Sequence, residues 1–178
     1  FAPWVLLQVF QQPTEIMASL YTMGGIIGIL FQPLLGRAID RLGERKVLAA
    51  EAASLIVVCF GYGFARQIFT ENIAFFVVCA CFLADQMLFS VGMARSTYMK
   101  KTALEPAHVQ PALTAAVTID HIFSITAALV GGVIWNLFGY QYVFLLGVGI
   151  ALISFYFALQ VRVLPKTELT VNAKTDQE

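Results

Sequence analysis

Residues 16–35, IMASLYTMGGIIGILFQPLL, run for twenty positions without a charged side chain, and residues 36–46, GRAIDRLGERK, follow at once with six. An α-helix of about 20 residues rises about 30 Å, the thickness of a bilayer's hydrocarbon core. The first stretch therefore reads as a membrane-spanning helix and the second as the charged loop that ends it. The same rhythm recurs: apolar blocks cover residues 47–65, 73–94, 112–135 and 142–161, with polar punctuation at 66–72, 95–111 and 136–141. In hydrocarbon only helices and closed barrels satisfy every backbone N–H and C=O, and blocks this long and unalternating do not suit barrel strands. The sequence predicts an all-α membrane protein with five full transmembrane helices. Ahead of them, residues 1–10 form an apolar stub too short to cross, ending at the turn Gln11-Gln12-Pro13. Without the charged head of a signal peptide, this stub is expected to be the end of a truncated transmembrane helix. Residues 11–163 then form the bundle, and residues 164–178 a polar tail.

Composition points the same way. Of the 178 residues 59% are hydrophobic and 12% charged, about half the charged share of a soluble domain. Formal net charge is zero, and no basic run stands alone, so no nucleic-acid partner is expected. Cys59, Cys79 and Cys81 lie inside apolar blocks. Cys79 and Cys81, two apart, point to nearly opposite sides of a helix and read as packing residues, so neither metal nor cofactor is expected.

Lys and Arg near span ends are retained on the cytoplasmic side. Sorting the cations by these spans puts Arg37, Arg41, Arg45, Lys46, Arg95, Lys100, Lys101, Arg162, Lys166 and Lys174 on one side and Arg66 alone on the other. Loops 36–46 and 95–111 and the carboxy-terminal tail are therefore expected to be cytoplasmic in a multi-pass protein of the cell membrane, with the turns near 12, 69 and 138 outside. Small residues at four-residue spacing, Gly24 with Gly28, Ala127 with Gly131 and Ala128 with Gly132, predict close helix contacts. The bulky, uncharged run from Val143 to Ala158 is expected on the lipid-facing outside of the bundle.

The loop Gly36-Arg37-Ala38-Ile39-Asp40-Arg41-Leu42-Gly43-Glu44-Arg45-Lys46 resembles the Gly-x-x-x-Asp-Arg-x-Gly-Arg-Lys signature that major facilitator superfamily transporters carry between helices two and three and, in weaker form, between helices eight and nine. Gly36, Asp40, Arg41 and Gly43 match position by position. Glu44 replaces the usual cation, with Arg45 and Lys46 one place late. Gly36 would let one helix end against its neighbour, and Gly43 would permit a left-handed turn. Asp40 could sit against a helix's positive pole or pair with Arg41 or Arg45. The resemblance implies that these contacts latch the cytoplasmic side in the outward-open state; the plainer alternative is that the charges anchor a short loop among headgroups. Gly131-Gly132-Val133-Ile134-Trp135 followed by Phe138-Gly139-Tyr140 is similar to the junction of helices eleven and twelve. By this resemblance the chain is the carboxy-terminal half of such a bundle: the stub ends helix seven, and the five spans are helices eight to twelve.

Glu51, Asp85, Asp120 and His121 fall within the spans. A charge near the bilayer centre costs about 2.5–3.5 kcal/mol on insertion scales, so such groups face a cavity or a partner. Asp85 is deepest, with Gln86 beside it. The resemblance implies that their span lines the central cavity, which places Asp85 or Gln86 on the substrate or proton pathway; the alternative is that Asp85 only bonds within its own bundle. Gln86 shares a stripe with Phe82, Phe89 and Met93, a surface suited to a partly apolar solute. His121 forms a stripe with Thr114, Thr118 and Ser124, and its imidazole suits proton coupling as well as a structural hydrogen bond. Asp120 lies about 100° round the helix from it. Glu51 is expected to pair with a loop cation such as Arg45 or Lys46.

These features predict secondary active transport of a small organic solute by alternating access, coupled to protons, and not an enzyme. The expected partners are the lipid bilayer, a small-molecule substrate, protons, and a missing amino-terminal six-helix half or a second copy. Two other classes stay open: a non-transporting scaffold or sensor on the same bundle, and an integral membrane enzyme acting on lipid phosphates. The last needs clustered carboxylates for a metal, and only Asp40 with Glu44 has the spacing.

Overall fold

The computed structural model describes residues 1–89, 91 and 106–160. A short α1 (Ala2–Trp4) runs into a π-helical turn at Val5–Val9 and is followed by α2 (Thr14–Leu42), α3 (Glu44–Ile68), α4 (Glu71–Phe89), α5 (Pro106–Phe138) and α6 (Tyr140–Gln160). Five of these helices are long and apolar enough to cross a membrane, so the chain is an all-α membrane bundle. The expected loop at 95–105, the end of the span to 94, and residues 161–178 with Arg162, Lys166 and Lys174 lie outside the described residues.

The expected loop at 36–46 is corrected. Residues 36–42 continue α2, and the chain breaks only at Gly43 before α3 begins at Glu44. Charge marks where hydrocarbon ends, but a helix ends where its hydrogen-bond ladder must turn. Arg, Leu and Ala are good helix formers, and Leu35 and Ile39 are buried together with Val47 and Val91, so packing draws the helix onward. Gly43 has φ 81° and ψ 158°, a region open essentially to glycine alone. The other breaks shrink for the same reason: Phe69-Thr70 alone separates α3 from α4, and Gly139, at φ 105°, alone separates α5 from α6. The start of α5 at Pro106, six residues before the expected 112, carries Pro111 inside the helix.

Several polar side chains within the helices bond to the carbonyl one turn earlier, as suits an apolar solvent. Ser19 and Thr22 donate to the carbonyls of Glu15 and Ala18 at 2.9 and 2.8 Å. Thr126 and Asn136 donate in the same way to Ile122 and Gly132.

The core gathers around α3, which packs along α6 and against α4, while α2 rests on α4 and α5 on α6. Val5 and Leu6 of the π-turn are fully buried at its centre, with Val58, Tyr62, Ala74, Val78, Phe82 and Phe144. Close approach comes from small residues. A Cβ at Gly61 would lie 2.5 Å from the Cys81 sulfur, one at Gly63 3.2 Å from Phe144 Cβ, and one at Gly147 3.1 Å from the Cys59 sulfur. The expected small-residue contacts hold in part: Gly24 lies against Gln86 and Gly131 against Phe1 and Val143, but Gly28 and Gly132 have nothing within 4 Å. The last helix, α6, buries Val143, Phe144, Ala151 and Ala158 and exposes Leu146, Ile150, Ile153 and Phe157, so only one face meets the bundle.

Candidate functional site

Asp85 and Gln86 stand in the last turns of α4, both partly buried, and look in different directions. The Gln86 stem packs on α2, where a Cβ at Gly24 would lie 3.2 Å from its Cγ. Asp85 is within electrostatic reach of Cys59 and Tyr62 on α3 and of Cys81 one turn earlier on its own helix. Its surroundings are the α3–α4 interior.

Tyr62 escapes a reading based on charge. It is 3% exposed, its ring stacks on Phe144 with centroids 5.2 Å apart, and its buried hydroxyl has no hydrogen-bond partner among the described residues. Its signal in the sequence is a lone tyrosine between Gly61 and Gly63, two residues that let neighbouring helices close over a bulky ring. A buried donor without an acceptor costs about 1–3 kcal/mol, so the Tyr62 hydroxyl marks a polar point in the α3 seam.

Thr118, Asp120 and His121 occupy a different environment. Every residue from Val117 to Val130 on α5 is exposed, and these three meet neither Asp85 nor Gln86. Thr118 donates to the Thr114 carbonyl at 2.9 Å, and Thr114 to that of Gln110 at 3.0 Å. Together with Pro111, Ala115 and Ile119 they line an open groove of about 740 Å³ along the helix. The five candidates therefore form two groups, one inside the bundle and one on its bare flank.

Of the proposed latch, Arg37, Asp40, Arg41, Arg45 and Lys46 are exposed. No ion pair joins Asp40 to Arg41 or Arg45 among the described residues. Gly36 lies within α2 with nothing within 4 Å of where its Cβ would be, so it ends no helix, and the turn belongs to Gly43 alone. Glu51 is 8% exposed, in a cleft of about 350 Å³ between α3 and α6 lined by Leu48, Leu55, Ser154 and Phe157. Among the described residues no three His, Cys, Asp or Glu side chains converge as metal ligands.

No curated protein and no solved structure matches the chain. A family model described as the Major Facilitator Superfamily matches residues 1–177. That match spans the apolar helices, the Gly43 turn and both groups of intramembrane polar residues, and the chain belongs to the major facilitator superfamily, a family of multi-pass membrane transporters.

Proposed function

We propose that this chain supplies one bundle of a secondary active transporter that moves a small organic solute by alternating access, with protons as the coupling ion. The uncovered stretch of α5 that carries its polar side chains supports this reading most. Asp120, His121, Thr114 and Thr118 lie on a helix of which 6% of the spanning window is buried. Ionisable side chains in a spanning segment belong against water or a partner rather than acyl chains, so this helix suits the interface with an amino-terminal six-helix half. The two bundles would then rock about a site near the midplane. In this reading Asp85, Gln86, Thr118, Asp120 and His121 line the substrate or proton pathway, and Asp40, Arg41, Gly43, Arg45 and Lys46 brace the cytoplasmic side. The cation asymmetry supports a cell-membrane orientation with residue 41 inside and residue 69 outside.

The test uses the full-length protein in sealed vesicles under an inward proton gradient, with a panel of small organic solutes. Gradient-driven accumulation of at least one solute is expected, and Asp85→Asn should abolish it while leaving solute exchange at equal pH. Wild-type accumulation in Asp85→Asn would refute the role of Asp85. Movement of no solute by the wild-type protein would refute transport.

A further inference from the structure

The carbonyl of Val9 cannot be satisfied by its own helix. The residue four places on, whose N–H would close the α-helical ring, is Pro13, which has none. The chain has already left the α register there: Phe10 N–H bonds to the Val5 carbonyl at 3.2 Å, Gln12 N–H to Leu6 at 3.1 Å, and Gln11 takes a positive φ of 50°. Two carbonyls at this broken end find side chains instead. Gln12 Nε2 donates to Phe10 O at 3.1 Å, and Arg66 Nη1, 57 residues away on α3, donates to Val9 O at 2.9 Å.

Arg66 gathers more than this one group. It stands in the last turn of α3, where the negative end of the helix dipole favours a cation. Its Nη2 lies 4.0 Å from Glu71 Oε1 at the start of α4, and the guanidinium is within electrostatic reach of Tyr140 at the start of α6. One side chain thus bonds the amino-terminal segment to the end of α3, with the start of α4 beside it and that of α6 within electrostatic reach.

We propose that Arg66 is a latch that holds the amino-terminal segment closed against α3, α4 and α6, and that its release lets this segment swing about the π-turn as the bundle changes state. Resting on the transport reading above, this adds a conformational role for a residue outside both candidate groups. The arrangement suits a hinge. Val5 and Leu6 are fully buried and fix the pivot, and Phe10 packs on Phe75 in the same core, whereas the Val9 carbonyl and the Gln11-Gln12 turn carry the side-chain bonds nearer the surface. The Arg66 side chain is 49% exposed, so water can replace its contacts at little cost. π-Turns inside helices recur where a helix must bend for function.

Hydrogen–deuterium exchange on the full-length protein in detergent tests the latch. Arg66→Met should speed exchange at Phe10 and Gln12 by about tenfold, the lower end of the range for a lost charge-assisted hydrogen bond, given the exposure. Amides of Met17–Gly24 should stay within twofold of wild type, and Glu71→Gln should leave Phe10 and Gln12 unchanged. Equal exchange at Phe10 and Gln12 in wild type and Arg66→Met would overturn the latch. Should Arg66→Met loosen every helix, Arg66→Gln, polar but too short to span both contacts, decides by the same criterion. Labelling of Gln11→Cys by an impermeant maleimide in intact cells separates the two readings. Faster outside labelling with Arg66→Met supports an outward latch, an unchanged outside rate overturns it, and labelling from the cytoplasmic side alone overturns the orientation while exchange still judges the latch.

Discussion

Gly61→Ala sets two opposing effects against each other at one position. In the middle of a helix the substitution contributes about 0.5–1 kcal/mol, because alanine loses less backbone freedom on folding. At Gly61, however, the new methyl would lie 2.5 Å from the Cys81 sulfur and 4.0 Å from Val77. The sulfur sits on a short side chain and can yield only by rotating about one bond or by parting α3 from α4. Overpacking of this kind costs about 1–3 kcal/mol, so the contact outweighs the propensity gain and the net change is a loss of about 1–2 kcal/mol. Gly28→Ala is the control, since nothing lies within 4 Å of its Cβ position, and there the propensity gain stands alone. Thermal unfolding in detergent, followed by helical circular dichroism, should place Gly61→Ala below wild type and Gly28→Ala at or above it. The double variant Gly61→Ala with Cys81→Ala should recover most of the loss relative to Cys81→Ala alone. If Gly61→Ala stabilises as much as Gly28→Ala, or if removing the sulfur brings no relief, the packing of α3 on α4 is not as described.

Tyr62→Phe keeps the stack on Phe144 and deletes the unpartnered hydroxyl, so it should raise stability by about 1 kcal/mol and the melting temperature by about 2–4 °C; a lower melting temperature would mean that the hydroxyl has an acceptor. Gly43→Ala forces a side chain into a glycine-only backbone region and should cost about 1–3 kcal/mol, read by the same melt. His121→Ala and Asp120→Asn, both exposed, should change stability by no more than about 0.5 kcal/mol, yet lower gradient-driven solute accumulation in the full-length protein.

Membrane helices were legible because their signal is bulk composition: twenty uncharged residues from Ile16 to Leu35 admit few other readings. Helix ends were not, because hydropathy reports solvent while the ladder reports backbone geometry. Arg37, Asp40 and Arg41 look like loop residues by charge, but they ride on α2 until Gly43 turns the chain. Small-residue spacing showed that glycines matter without showing which pair meets; Gly63 lacks the four-residue spacing, Gly61 and Gly147 have it only with Ala65 and Ala151, and these three carry the α3 seams. The candidate site was legible residue by residue and not as an assembly. Asp85 and His121 both stand out as ionisable groups in apolar helices, but adjacency across helices depends on rotation about each axis. That rotation puts Asp85 near Tyr62 and leaves His121 on a bare flank. Arg66 read only as the outside cation, because its partner is a carbonyl, which leaves no trace in side-chain identity.

In the proposed topology these helices lie in hydrocarbon with residue 41 inside and residue 70 outside. Single cysteines at Arg41 and Thr70, near opposite ends of the 25-residue α3, test it in intact cells with an impermeant thiol reagent. Thr70→Cys should label from outside and Arg41→Cys only after permeabilisation. Labelling of both from the same face would rule this topology out.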